Sequence, residues 1–204
     1  MATDRLRQYN GALQMLGQTR IANLSVNEKS RRELDAAWDE ANEYMLSKGL
    51  WNFAIRSSEM AFDDDVEPVS GYRYAIKIPD DFVRIVTLSA TGFADQEMER
   101  YQNENGYWFC DYSEAFLRYV SYDAEYGMDL GKWPPAFALA HQAYLAFKSG
   151  LPVTGDKGTR NDVWGLHKRL LSEAKVSDAI EQPVARRPAG RWARARYGRH
   201  GSQR

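Results

Sequence analysis

Between residues 30 and 45 the apolar positions return at helical intervals. Leu34, Ala37, Trp38, Ala41 and Met45 share one face and the charges occupy the other. The pattern stops at Lys48-Gly49, where a glycine suits a helix C-cap and a cation suits the negative end of the helix dipole. It runs straight into Leu50-Trp51-Asn52-Phe53, an aromatic segment that other elements must cover. Gly49, Leu50, Trp51 and Phe53 are therefore the candidate hinge and packing residues. Upstream, Leu6, Tyr9, Ala12, Leu13 and Leu16 define a first helix over about residues 4–17, with Gly17 as its stop. Ser25-Val26-Asn27-Glu28 has the spacing of a capping box, so the first two helices read as an αα-hairpin.

The period changes from Ser57 onward. Asp63-Asp64-Asp65 and Pro68-Val69-Ser70-Gly71 are turn chemistry, and Glu59 falls in the same turn-rich context. Residues 72–78 alternate as a strand, Pro79-Asp80-Asp81 breaks it, and residues 82–88 form a β-branched second strand. Asn105-Gly106 ahead of Tyr107-Trp108-Phe109-Cys110 predicts a type I′ hairpin, whose first strand lies near residues 99–103. Residues 116–121 supply a last strand. Helical spacing resumes behind Pro134-Pro135, where a missing N–H costs nothing. Phe137, Ala140, His141, Tyr144 and Leu145 line one side of that helix. Leu139, Ala143, Ala146 and Phe147 make the other side apolar as well, so most of its surface should be buried. Ser149-Gly150-Leu151-Pro152 is its expected end. A fourth helix over roughly residues 157–179 turns Val163, Leu166, Leu170 and Ala174 inward.

The expected fold class is α+β and mainly α. Residues 1–56 and 131–182 form an antiparallel four-helix module, residues 57–130 a small antiparallel sheet inserted between its second and third helices, and residues 183–204 an extended basic tail. Composition changes this picture little. With 44% hydrophobic and 27% charged residues, the chain reads as a globular domain and not a disordered one. No apolar run approaches the roughly 18 residues of a membrane helix, and no apolar segment follows the N-terminus as in a secretory signal. The single cysteine, Cys110, excludes an internal disulfide and implies a reducing compartment.

Charge changes it more. Residues 61–130 carry fifteen acids against five Lys and Arg, whereas residues 183–204 carry seven arginines and no acid. Such segregation implies separate partners for the two regions, or the tail of one copy meeting the middle of another. Arg186, Arg187, Arg191, Arg194, Arg196 and Arg199 interleave with Trp192 and Tyr197, a pattern suited to acidic protein surfaces or phosphates. These eight residues are the candidate partner-binding set, with a protein partner first and nucleic acid second.

Candidate chemistry adds nothing firm. Gly150-Leu151-Pro152-Val153-Thr154-Gly155-Asp156-Lys157 approaches a phosphate-binding loop, but Asp156 holds the lysine position and a helix precedes the segment. An interhelix turn is the expected reading. The carboxylates at 59 and 63–65 lack the spacing of a calcium loop or any feature that singles out a catalytic pair. His141 and His167 fall in separate helices and His200 in the tail, so no zinc set is expected, and Cys110 reads as a half-buried small hydrophobe. No catalytic residue, cofactor or metal is expected.

Several short patterns, taken in order, resemble one family. They are Ala12-Leu13-Gln14-Met15-Leu16-Gly17, Ile21 with Leu24-Ser25, and Leu46-Ser47-Lys48-Gly49-Leu50-Trp51-Asn52-Phe53. Further along come Ile78-Pro79-Asp80-Asp81-Phe82-Val83-Arg84-Ile85, Tyr119-Val120, Leu145-Ala146 and Leu151-Pro152-Val153-Thr154-Gly155-Asp156. Over roughly residues 6–180 the chain resembles the tail tubular protein A, or head-to-tail adaptor, family of short-tailed bacteriophages. The resemblance implies a virion structural protein and not an enzyme. It would form a homo-oligomeric ring, a dodecamer in the family, at the head–tail junction, after synthesis in the host cytoplasm. Its implied partners are the portal protein, a downstream tail or nozzle protein and the double-stranded DNA that passes through the channel, with no membrane. The resemblance also implies that the C-terminal segment grips the portal. The alternatives are a peptidoglycan-cleaving hydrolase used in infection and a nucleic-acid-binding protein acting through the basic tail.

Overall fold

The computed structural model describes residues 3–68, 71–93 and 96–181. Among them are four α-helices and six strands: α1 (Arg5–Met15), α2 (Lys29–Ser47), β1 (Ile55–Ala61), β2 (Tyr74–Lys77), β3 (Phe82–Ser89), β4 (Tyr101–Glu104), β5 (Tyr107–Cys110), β6 (Glu114–Ser121), α3 (Pro135–Thr154) and α4 (Lys157–Ile180). The fold is mixed α+β. The strands make two three-stranded antiparallel sheets, ordered β1-β6-β3 and β2-β5-β4, where one sheet was expected. The split follows from pairing. The β4–β5 hairpin adds to β2, while the longer β6 takes β1 on one side and β3 on the other. Register shifts between Phe82 and Arg84 and between Ile85 and Thr87 bend β3 along that ladder.

β1 overturns the expectation that residues 57–61 are turn-rich. Its sequence has only Ile55 as a β-branched residue, so local propensity is weak. Pairing with β6 from Ile55↔Val120 to Ala61↔Glu114 supplies the stabilisation that the segment itself lacks, and it puts Glu59 opposite Phe116. The β4–β5 turn is as expected, with Asn105 at φ 49° and Gly106 at φ 81°, both positive as a type I′ turn requires.

The helix ends hold three corrections. The capping box at residues 25–28 does not form: α2 begins behind Glu28 without a side-chain cap, and the Ser25 N–H donates to Asn23 Oδ1 at 2.9 Å instead. α3 does not stop at Pro152 but continues to Thr154. A proline this near the C-terminus removes only one ladder bond, and the Thr154 hydroxyl donates to the Gly150 carbonyl at 2.7 Å. The true stop is Gly155, in the left-handed region at φ 72°. On α4, Val163, His167 and Ala174 are buried, while Leu166 and Leu170 are only half-buried. Asp156 caps that helix, its carboxylate accepting from the N–H groups of Gly158 and Thr159, so residues 150–157 are an interhelix turn.

α3 is the centre of the helical layer. It meets α1 where Gln142 lies against Gly11, α2 where Tyr144 stacks on Tyr44 at 3.9 Å, and α4 where His167 Nδ1 lies 3.0 Å from the Ala140 carbonyl. Gln142 and Tyr144, which packs on Trp164 and His167 of α4, are roughly 200° apart around α3, but α1 and α4 converge at Gly150, where a Cβ would meet both Leu16 and Arg160. α1 meets α2 only at one crossing, where Tyr9 donates to Asp35 at 2.6 Å and packs edge-on to Trp38. It runs along α3 instead, so the expected tight hairpin with α2 is absent. A second core lies between the sheets and contains Ile76, Leu88, Trp108, Cys110, Leu117 and Tyr119. Cys110 is fully buried there, not half-buried, and burial pushes its thiol pKa up.

The two helical histidines lie in separate helices, α3 and α4, and both are buried. His141 lies 5.2 Å from Trp38 and 4.8 Å from Trp133, with its Nδ1 3.1 Å from Gln8 Oε1. Burial, with a smaller contribution from nearby His167, pushes the His141 pKa down to about 3. A histidine held neutral in the fold but free to charge when unfolded stabilises the protein above its unfolded pKa of about 6.5 and loses that contribution as pH falls. Stability should therefore drop by about 1.4 kcal/mol per pH unit below pH 6.5 from His141 alone. Urea midpoints at pH 7 and pH 5 check this, and His141→Gln should flatten the difference.

Candidate interaction site at the helix–sheet junction

The expected hinge is built from the end of α2. Ser47 is its last residue and Lys48 its cap, still in right-handed helical geometry. Gly49 is not one of the residues at positive φ, so it does not serve as the left-handed cap expected of it. Its role is close approach. A Cβ at that position would sit 2.7 Å from Cε2 of Trp51, so the indole fills the space that a side chain would need. The ring is 1% exposed, and its Nε1–H donates to the Met45 carbonyl at 2.8 Å, satisfying an acceptor in the last turn of α2. Phe137 of α3 packs edge-on to Trp51 at 4.8 Å, and Phe53 meets the same phenylalanine at 4.8 Å. Leu50 does not share this packing. It is 41% exposed, because Trp51 takes the buried slot and adjacent residues of an irregular segment point apart.

Asn52 extends the junction to the far end of the chain. Its backbone N–H donates to Asp178 Oδ1 at 2.9 Å and its side-chain amide donates to the Asp178 carbonyl at 2.8 Å. Burial pushes the Asp178 carboxyl pKa up, although the Asn52 bond opposes it. Asp178 lies 126 residues from Asn52 and on the last turn of α4, so nothing in the local pattern marks it. Only the position of Asp178 on the inward side of α4, four residues after Ala174, hints at a contact.

A second polar node joins the strands of the first sheet beside this junction. Asp81, from the turn before β3, accepts from Tyr119 of β6 at 3.0 Å, from Arg56 of β1 at 3.1 Å and from the Ser121 hydroxyl. Partial burial pushes the Asp81 carboxyl up, but donation from Ser121, Tyr119 and Arg56 outweighs it and the pKa is lowered. Burial and then the Asp81 bond push Tyr119 up to about 12. Arg84 of β3 donates to the Ser47 carbonyl at 3.2 Å, bonding the first sheet directly to the end of α2.

The remaining candidate carboxylates are apart from this junction. Asp63 accepts from Tyr107 at 3.3 Å and from the Asp65 N–H at 3.0 Å, a local turn arrangement. Among the described residues no group of three or more His, Cys, Asp or Glu could hold a metal ion, and no helix is long and apolar enough to cross a membrane. The candidate tail residues Arg186, Arg187, Arg191, Trp192, Arg194, Arg196, Tyr197 and Arg199 lie outside the described residues.

Trp51→Ala should cost about 3–5 kcal/mol, since it opens a large cavity beside Phe137. Trp51→Phe should cost less, removing one of the two hydrogen bonds to the Met45 carbonyl, about 0.5–1.5 kcal/mol, since the Lys48 N–H still donates to it at 3.2 Å. Urea denaturation of both variants checks the order. No family model and no curated protein matches the chain.

Proposed function

We propose that this chain is a virion structural protein, a head-to-tail adaptor of the kind found in short-tailed bacteriophages. It forms a ring, dodecameric as in the family it resembles, between portal and tail, and the ring forms part of the DNA ejection channel. Residues 1–56 and 131–182 serve as the ring-forming helical module, and residues 57–130 hang from it towards a downstream tail or nozzle protein. Residues 183–204 extend to the portal. The protein is made in the host cytoplasm and ends in the virion.

Two supports carry this reading: the ordered motif series over residues 6–180 and one geometric observation. The Trp51–Asn52 junction holds the end of α2, the entry to the sheets and the last turn of α4 at one place. A connector that must keep an upstream and a downstream partner in fixed relation needs such a junction, because the tail departs from the end of α4. The charge map agrees with two different partners, the net −10 of residues 61–130 facing one and the seven arginines of residues 183–204 the other.

Deletion of residues 183–204 tests the upstream half. The shortened chain should fold with an unchanged urea midpoint but fail to co-purify with the portal protein. Portal capture as strong as that of the full chain would remove the tail from this role.

A further inference from the structure

Two surfaces of the helical layer have complementary shape and charge. The first is an open groove of about 760 Å³ between α1 and α3. Leu6, Ala138 and Leu139 give it an apolar floor, and its charged lining is two cations, Arg7 and Arg20, against one acid, Asp4. Leu139 is 41% exposed between the buried Ala138 and Ala140, so the floor is open to solvent. The second surface is the outer side of the last two turns of α4. Val176 is 59% exposed and Ile180 77%, and their i,i+4 spacing makes them one ridge. Exposed Glu173 and Glu181 flank the ridge. Its direction is fixed, because the opposite side of the same turn is held by the two Asn52–Asp178 hydrogen bonds.

The ridge faces away from Asn52 on α4 and the groove lies between α1 and α3 of the same packed layer, so a chain cannot seat its own ridge in its own groove. Two different, complementary patches on one subunit are what a heterologous, head-to-tail contact requires. We propose that the Val176–Ile180 ridge of one copy docks in the α1–α3 groove of the next, with Glu173 and Glu181 facing Arg7 and Arg20. The ridge is a helix segment entering a groove through i,i+4 anchors, and the acidic flank matches the basic lining. This assignment deepens the ring reading and rests on it, by naming the two faces through which copies meet.

Site-directed cross-linking of the full chain tests the pairing. Cys110 is buried, so the unmodified protein should not react with a short bis-maleimide. Leu139→Cys and Ile180→Cys, each alone, should stay monomeric under the cross-linker, while their mixture gives a 1:1 cross-linked dimer. The double variant should give a ladder of oligomers. Reversing both groove cations, Arg7→Glu with Arg20→Glu, should lower the dimer yield by about tenfold. Monomer only in the mixture, or a homodimer from either single variant, would overturn the pairing. The two readings separate cleanly. A chain found at the head–tail junction without this cross-link contradicts the pairing alone, whereas a ladder from a chain absent there contradicts the adaptor reading alone.

Discussion

The indole of Trp51 sets the geometry of the molecule. Its ring occupies the space beside Gly49, its N–H takes up a carbonyl at the end of α2, and its edge contacts Phe137 on the central helix α3. Each of these contacts constrains the others. A Cβ at residue 49 would sit 2.7 Å from the ring, and the indole N–H adds a second donor to the Met45 carbonyl, which the Lys48 N–H already reaches. The chain therefore leaves α2 in one direction only. Arg84 on the Ser47 carbonyl and the Asp81 node joining β1, β3 and β6 then hold the first sheet in that direction.

Rigidity at this point has a functional meaning through Asn52. The residue next to Trp51 bonds both the backbone and the carboxylate of Asp178, so a displacement of the last turn of α4 would be felt at the entry to the sheets. In the proposed adaptor these are the places where force and contact arrive: the tail root on one side and the downstream insertion on the other. The exposed ridge on α4 sits on the same turn. In the proposed adaptor, subunit contact, tail departure and sheet orientation would thus be coupled through two hydrogen bonds and one aromatic ring.

How much of this could be read from residues alone depended on whether the determining contact was local. α2 and α4 were legible because amphipathic spacing repeats over four or more turns, and the β4–β5 hairpin because Asn-Gly imposes positive φ on its own. β1 was not, since Ile55-Arg56-Ser57-Ser58-Glu59 becomes a strand only through β6, some sixty residues on. Pro152 misled because its cost depends on how near the helix end it lies, and the left-handed Gly155 was the better stop signal. Gly49 invites the reading of a helix cap, whereas its missing Cβ serves the close approach of Trp51. Leu50 looked like a packing residue because an apolar run gives no alternation to say which member turns outward. His141, His167 and Asp178 were beyond reach, because each owes its environment to helices that only tertiary packing brings together.

The central claim is that this chain is the ring between portal and tail. Electron microscopy of the assembled virion tests it most directly. The account predicts ring density at the head–tail junction into which the helical layer fits, with both sheets pointing away from the portal. A junction built without this chain would contradict it.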